Sequence, residues 1–249
     1  MNASQLTLIQ WILVLVAALC IGLSKSGLAG LGMITILLMA EVMPARESTG
    51  TVLPLLICGD VLAVLVFKKH ADWSKIGKVL PPALLGILVG YFLMQRIPGQ
   101  TFRPMIGWII LVLVSLQFWR KLNPCFFHHI PHSQGFAWMM GGTSGVSTMM
   151  ANAAGPVMAI YLLAVGLPKL AFVGTAAWFF LIINLVKVPF SAHLGLINGS
   201  SLRLDLVLVP VVAVGIWIGG RLVKILPQEL FENITLLFAV AVSLRFILT

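Results

Sequence analysis

Two lysines and one aspartate stand inside apolar stretches of this 249-residue chain, and they are the first candidates for chemistry. Lys25 lies in Gly22-Leu23-Ser24-Lys25-Ser26-Gly27-Leu28-Ala29-Gly30-Leu31-Gly32, between apolar runs at 8–21 and 33–43. Lys187 lies in Asn184-Leu185-Val186-Lys187-Val188-Pro189. Asn184, three residues earlier, shares its helix face, and Pro189 removes a helical hydrogen bond nearby. Asp60 follows Gly59 in the run 49–67 and reads as the only carboxylate well within an apolar run. An ionisable group in such surroundings is costly and functional by default. Ammonium groups and free helix N–H groups suit a compact anion with several acceptor oxygens. Asp60 suits a proton, or a lysine as partner. The competing reading is snorkelling to the interface for each lysine, and a structural ion pair or hydrogen-bonded acid for Asp60.

A second glycine-interrupted stretch, residues 141–156, mirrors the first but carries Asn152 where a cation would stand. Its hydroxyls and amide suit a polar ligand, or serve as contacts between helices. Within it, Gly142-Thr143-Ser144-Gly145 resembles the Gly-x-Ser-Gly of rhomboid intramembrane proteases. A catalytic serine needs a base within hydrogen-bond reach, and the only later histidine is His193. Duplication explains the stretch without catalysis, and the chain is expected not to be an enzyme. His128-His129-Ile130-Pro131-His132 reads as a solvated linker rather than a metal site, and no cofactor or metal is expected. The three cysteines, Cys20, Cys58 and Cys125, have no metal spacing and indicate no disulfide framework. Met139-Met140 and Met149-Met150 read as packing.

The elements that must position these residues follow from composition. The chain is 60% hydrophobic and 9% charged, with a mean hydropathy of +1.07, where a soluble domain carries about 25% charged residues. Continuous apolar runs, not ten-residue alternation, predict an all-α polytopic membrane protein rather than a barrel. The net charge of +9 sits mostly in short loops, so it orients the chain in the bilayer and does not point to nucleic acid. The N-terminus has neither a basic region nor a small-residue cleavage site, so the first helix is expected to be retained.

Ten segments are predicted: 8–23, 28–43, 49–67, 76–95, 104–119, 134–150, 153–166, 170–192, 203–224 and 229–247. The first, second, sixth and seventh are short enough to be half-helices or re-entrant. Met43-Pro44 with Gly50-Thr51 recurs as Leu167-Pro168 with Gly174-Thr175, an offset of 124 residues. Pro81, Gly86 and Gly90 recur as Pro210, Gly215 and Gly219, an offset of 129. These alignments predict two five-segment halves, 1–122 and 134–249, joined by a cytoplasmic linker at 123–133. An odd number of segments per half inverts the second, the plan of many secondary transporters. With both termini outside, Lys68, Lys69, Lys75, Lys78, Arg120, Lys121, Lys169, Arg221 and Lys224 fall inside, in keeping with the positive-inside rule.

The glycine-rich first hairpin belongs with Pro44-Ala45-Arg46-Glu47-Ser48-Thr49-Gly50-Thr51, the basic loop Lys68-Lys69-His70-Ala71-Asp72-Trp73, and Asn184-Leu185-Val186-Lys187-Val188-Pro189. As an ordered set over nearly the whole chain, they resemble the sulfite-exporter TauE/SafE family, also called the toluene-sulfonate uptake permeases. The resemblance implies a carrier of sulfur-containing anions, such as sulfite, sulfonates, sulfoacetate or thiosulfate, in the bacterial cytoplasmic membrane. The expected substrate site is Ser24, Lys25, Ser26, Gly27, Asn152, Thr175, Asn184 and Lys187, with Asp60 as the proton-coupling residue. The expected partners are the lipid bilayer, a small sulfur-containing anion and coupled protons; assembly as a homodimer stays open. A passive anion channel is the main alternative function and an intramembrane serine protease a remote one.

Overall fold

The computed structural model describes residues 6–26, 31–123 and 133–225, and 237, 240, 241, 244 and 246–248 near the C-terminus. Gly27 of the first hairpin, linker residues 124–132 with Cys125 and the three histidines, and most of the tenth predicted segment lie outside the described residues. All regular structure among the described residues is helical.

The helices are α1 (Leu8–Lys25), α2 (Leu31–Val42), α3 (Ala45–Phe67), α4 (Trp73–Arg96), α5 (Gly99–Leu122), α6 (Gln134–Ala151), α7 (Ala154–Ala164), α8 (Lys169–His193) and α9 (Gly199–Ile225). A 3-10 turn, Lys68–His70, links α3 to α4. Four of these helices begin three to five residues before the predicted apolar segments: α3, α4, α5 and α9. Hydropathy registers only the apolar part of a helix, whereas the cap starts it. Asp72 Oδ1 accepts the Lys75 N–H at 3.2 Å and opens α4. Pro44, Pro98 and Pro168 stand at the starts of α3, α5 and α8.

Among the described residues, six helical stretches are long and apolar enough to cross a membrane: Leu8–Lys25, Ala45–His70, Trp73–Arg96, Gly99–Trp119, Leu170–His193 and Ser201–Arg221. The chain is a multi-pass membrane protein. α2 has 12 residues and α7 has 11, so each reaches only about 16–18 Å at ~1.5 Å per residue, about half of a ~30 Å hydrocarbon core.

The packing exchanges partners between the halves. α1 lies along α9, α6 lies along α4, and α3 meets α8. Glycines set both crossings. A Cβ on Gly22 would strike the Val212 carbonyl and Gly215 Cα, and a Cβ on Gly86 would strike the Gly142 carbonyl and the Val146 nitrogen. Gly215 and Gly86 are the residues that the 129-residue offset pairs. Such close backbone approach is how small residues hold membrane helices together.

Candidate anion site

The interrupted hairpins meet at one cavity. Its walls come from the end of α1, the start of α2, the α6–α7 break and the middle of α8. It leaves about 80 Å³ in which the centre of a water-sized sphere can move. One water needs about 10–15 Å³ by that measure, so several waters or one compact oxyanion fit.

Polar groups form a chain beside it. Lys25 Nζ lies 2.5 Å from Asp60 Oδ1 and 5.0 Å from the centre of the Phe180 ring. Asn184 Nδ2 donates to Asp60 Oδ2 at 2.7 Å. Lys187 Nζ donates to Asn184 Oδ1 at 3.2 Å, Asn152 Oδ1 at 2.5 Å and Thr148 Oγ1 at 3.1 Å. Asn152 Nδ2 donates in turn to the Thr49 carbonyl at 2.9 Å. Each asparagine turns its amide oxygen to Lys187 and its nitrogen away. Two lysine side chains and one aspartate thus share one connected polar network.

Lys187 is 1% exposed and Asp60 0%, while the Lys25 side chain is 10% exposed. Neither lysine snorkels: both end on side-chain oxygens inside the bundle. Ser24, Lys25, Asn152 and Asn184 line the cavity. Ser24 also donates to the Ile21 carbonyl at 2.7 Å.

Backbone contributes as well. The α6–α7 break is made by Asn152 in the left-handed region, φ 52°, where Asn is among the better-tolerated residues. α7 starts after Ala153 with no side-chain cap, and Ala153, Ala154 and Gly155 line the cavity. The first N–H groups of a helix have no partner within it, so the positive end of α7 points at this space.

Two expected site residues stand apart. Thr175 is fully buried, and its Oγ1 accepts the Asp72 N–H at 2.9 Å, which ties α8 to the start of α4. Ser26 Oγ donates to the Ile216 carbonyl of α9 at 3.0 Å, so it closes the α1–α9 crossing. Asp60 is also not the only carboxylate inside the bundle: Asp205 of α9 is 3% exposed. A segment start placed at 203 leaves Asp205 at the segment's edge, but the helix begins at Gly199, about one turn earlier. The overlooked signal is Asn198-Gly199-Ser200-Ser201, where Asn198 Oδ1 accepts the Ser201 N–H at 2.9 Å.

Ser144 is fully buried where α6 faces α4, while His193 lies at the end of α8, ring to ring with Tyr91 at 6.1 Å. No histidine among the described residues serves Ser144 as a base.

Comparison with known proteins gives the family. The family model described as "Sulfite exporter TauE/SafE" matches residues 14–246. The chain belongs to the sulfite exporter TauE/SafE family. This is a membrane transporter family of the sulfite and sulfur-anion exporter type, not an enzyme family. No curated protein and no solved structure matches the chain. In this TauE/SafE member, a lysine and an uncapped helix start stand on the wall of one cavity.

Proposed function

We propose that this TauE/SafE protein is a secondary transporter that binds a sulfur oxyanion in the cavity beside Lys25 and moves it by alternating access. One observation carries the reading: Lys25, the one charged group of the network on the cavity wall, stands with the uncapped start of α7 around a space sized for such an anion. A sulfonate or sulfite presents three acceptor oxygens, which an ammonium and helix N–H groups meet without base chemistry. Lys187 holds Asn152 and Asn184 in position from behind the wall. Asp60 balances Lys25 at rest, and its protonation would release Lys25 to the cargo.

The inverted repeat supplies the moving parts. Asn184 and Asp60 are 124 residues apart, the repeat offset itself, and hydrogen-bond to each other. Residues that touch their own repeat mates sit on the pseudo-two-fold axis. Rocking of one half against the other about that axis would open the cavity first to one side and then to the other. We place the chain in the bacterial inner membrane with both termini outside, and export is the direction that the family points to.

Binding decides this reading. Sulfite, thiosulfate, taurine, cysteate and sulfoacetate are to be screened by thermal shift on the purified protein, since a ligand of the folded state raises its apparent stability. With the best anion, Lys25→Ala should lose about 1.5–3 kcal/mol, one charge-assisted hydrogen bond, or roughly 10–150-fold in affinity. Lys25→Arg should rescue poorly, because a planar fork replaces a compact ammonium. Parental affinity in both Lys25→Ala and Lys187→Ala would place the site elsewhere. Linear, non-saturating flux would favour a passive channel.

A further inference from the structure

The anion network leaves one buried charge carrier unused. Asp205 lies in the second turn of α9 and is 3% exposed, and neither carboxylate oxygen has a hydrogen-bond partner. Its helix neighbours Leu204 and Leu208 pack into an apolar cluster with Val14, Ala17, Val52 and Leu55 of α1 and α3. Across the interface, Cys58 of α3 lies within electrostatic reach of it. The other titratable or charged groups on the facing helices are Arg46, Glu47 and Asp60 on α3, with Arg46 over the Phe102 ring and Asp60 already met by Lys25 and Asn184, and Cys20 and Lys25 on α1. On its own helix Arg203 is exposed. Thus no cation among the described residues pairs with Asp205.

An unmet carboxylate in an apolar helix interface is among the most expensive groups a membrane protein can hold. The fold does not require it. At the 129-residue offset the equivalent position in the first half is Ile76, which is 1% exposed. An isoleucine fills that place in one half, so the carboxyl in the other is an addition to the packing. Its charge can be met by a metal cation or by a proton. A metal cation needs a shell of several oxygens, whereas the residues packed by its helix neighbours Leu204 and Leu208 are apolar, and the group within electrostatic reach of it across the interface is a thiol.

We propose that Asp205 is a proton-binding site of this protein, separate from the anion cavity, where a proton is taken up and released between α9 of the second half and α1 and α3 of the first. The site joins elements of both halves, so rocking one against the other would change its access to water and couple proton movement to anion movement. The coupling rests on the transporter reading; the proton site itself does not.

Two measurements on the full-length protein in bilayers test the proposal. In infrared difference spectra across the neutral range, the carbonyl band of a protonated carboxylic acid should appear and vanish with pH, be absent in Asp205→Asn and shift in Asp205→Glu. Asp205→Glu keeps the carboxyl and so serves if the asparagine variant fails to fold. The same acid band in Asp205→Asn as in the parent, or no shift in Asp205→Glu, would overturn the proposal. In proteoliposomes, with thiosulfate as the probe because its charge is constant near neutrality, Asp205→Asn should keep gradient-free exchange and lose acceleration by a pH gradient. Retained pH drive in Asp205→Asn, with loss in Asp60→Asn instead, would assign coupling to Asp60 and overturn the coupling role. Drive by a sodium gradient, removed in Asp205→Asn and without an acid band, would overturn the proposal in favour of a metal cation. If the parent moves no thiosulfate, the transporter reading fails on that probe, and the infrared band still decides the proton site.

Discussion

Asn152 holds together the backbone and the chemistry of the site. Its left-handed φ of 52° ends α6 and lets α7 restart toward the cavity. Its amide meanwhile bridges Lys187 and the Thr49 carbonyl. The two roles separate by substitution. Asn152→Gly keeps the backbone and removes both side-chain bonds, so it should fold and bind anion more weakly. Asn152→Ala removes the same bonds and adds left-handed strain of about 1–2 kcal/mol. Thermal unfolding in detergent should therefore rank the alanine variant below the glycine variant. Equal midpoints would mean that the break is held by tertiary contacts rather than by residue 152.

At the scale of the helices, two glycine crossings hold the bundle. Gly22 meets α9 and Gly86 meets α6, each with backbone where a Cβ would fall. Overpacking such a contact costs about 1–3 kcal/mol. Gly22→Ala and Gly86→Ala should each lower the unfolding midpoint, and by similar amounts, because each would bring a Cβ to 2.2 Å from a backbone carbonyl oxygen of the helix it crosses. Gly77 in α4 has open space around its missing Cβ. Gly77→Ala should be neutral or raise stability by about 0.5–1 kcal/mol through lower chain entropy. Thermal stability followed by size-exclusion chromatography reads all three, and loss in Gly22→Ala alone would show that the crossings are not equivalent. The short helices α2 and α7 follow the same plan: each is too short to span, and both start at the cavity.

The whole molecule carries its orientation in its loops. Lys68 and Lys69 lie exposed at the α3–α4 turn, and Gln100 lies exposed at the start of α5, at the other end of α4. Inverted five-segment halves with outside termini put Lys69 in the cytoplasm and Gln100 outside. In a cysteine-free background, a membrane-impermeant maleimide added to intact cells should label a cysteine at 100 and spare one at 69. Labelling of 69 from outside would reverse the orientation.

What the sequence determined by itself is local. Apolar runs specified helices and a membrane, because a polar backbone in lipid must satisfy itself. Glycine, serine and proline marked the interruptions, and the cost of a charge in hydrocarbon singled out Lys25, Asp60 and Lys187. The order of prolines and glycines pointed to a duplication, in which Asp60 and Asn184 are 124 residues apart, the offset of that alignment. Only the tertiary structure decided which side of each helix faces what. A lipid-spanning helix is apolar on both faces, so periodicity cannot assign its inner side. Thr175 therefore read as a ligand-binding residue, although its hydroxyl serves Asp72, 103 residues away. Ser26 read the same way, although it serves Ile216, 190 residues away. Asp205, near the start of the segment predicted at 203–224, was passed over, because the helices that pack on α9, α1 and α3, arrive from the other end of the chain.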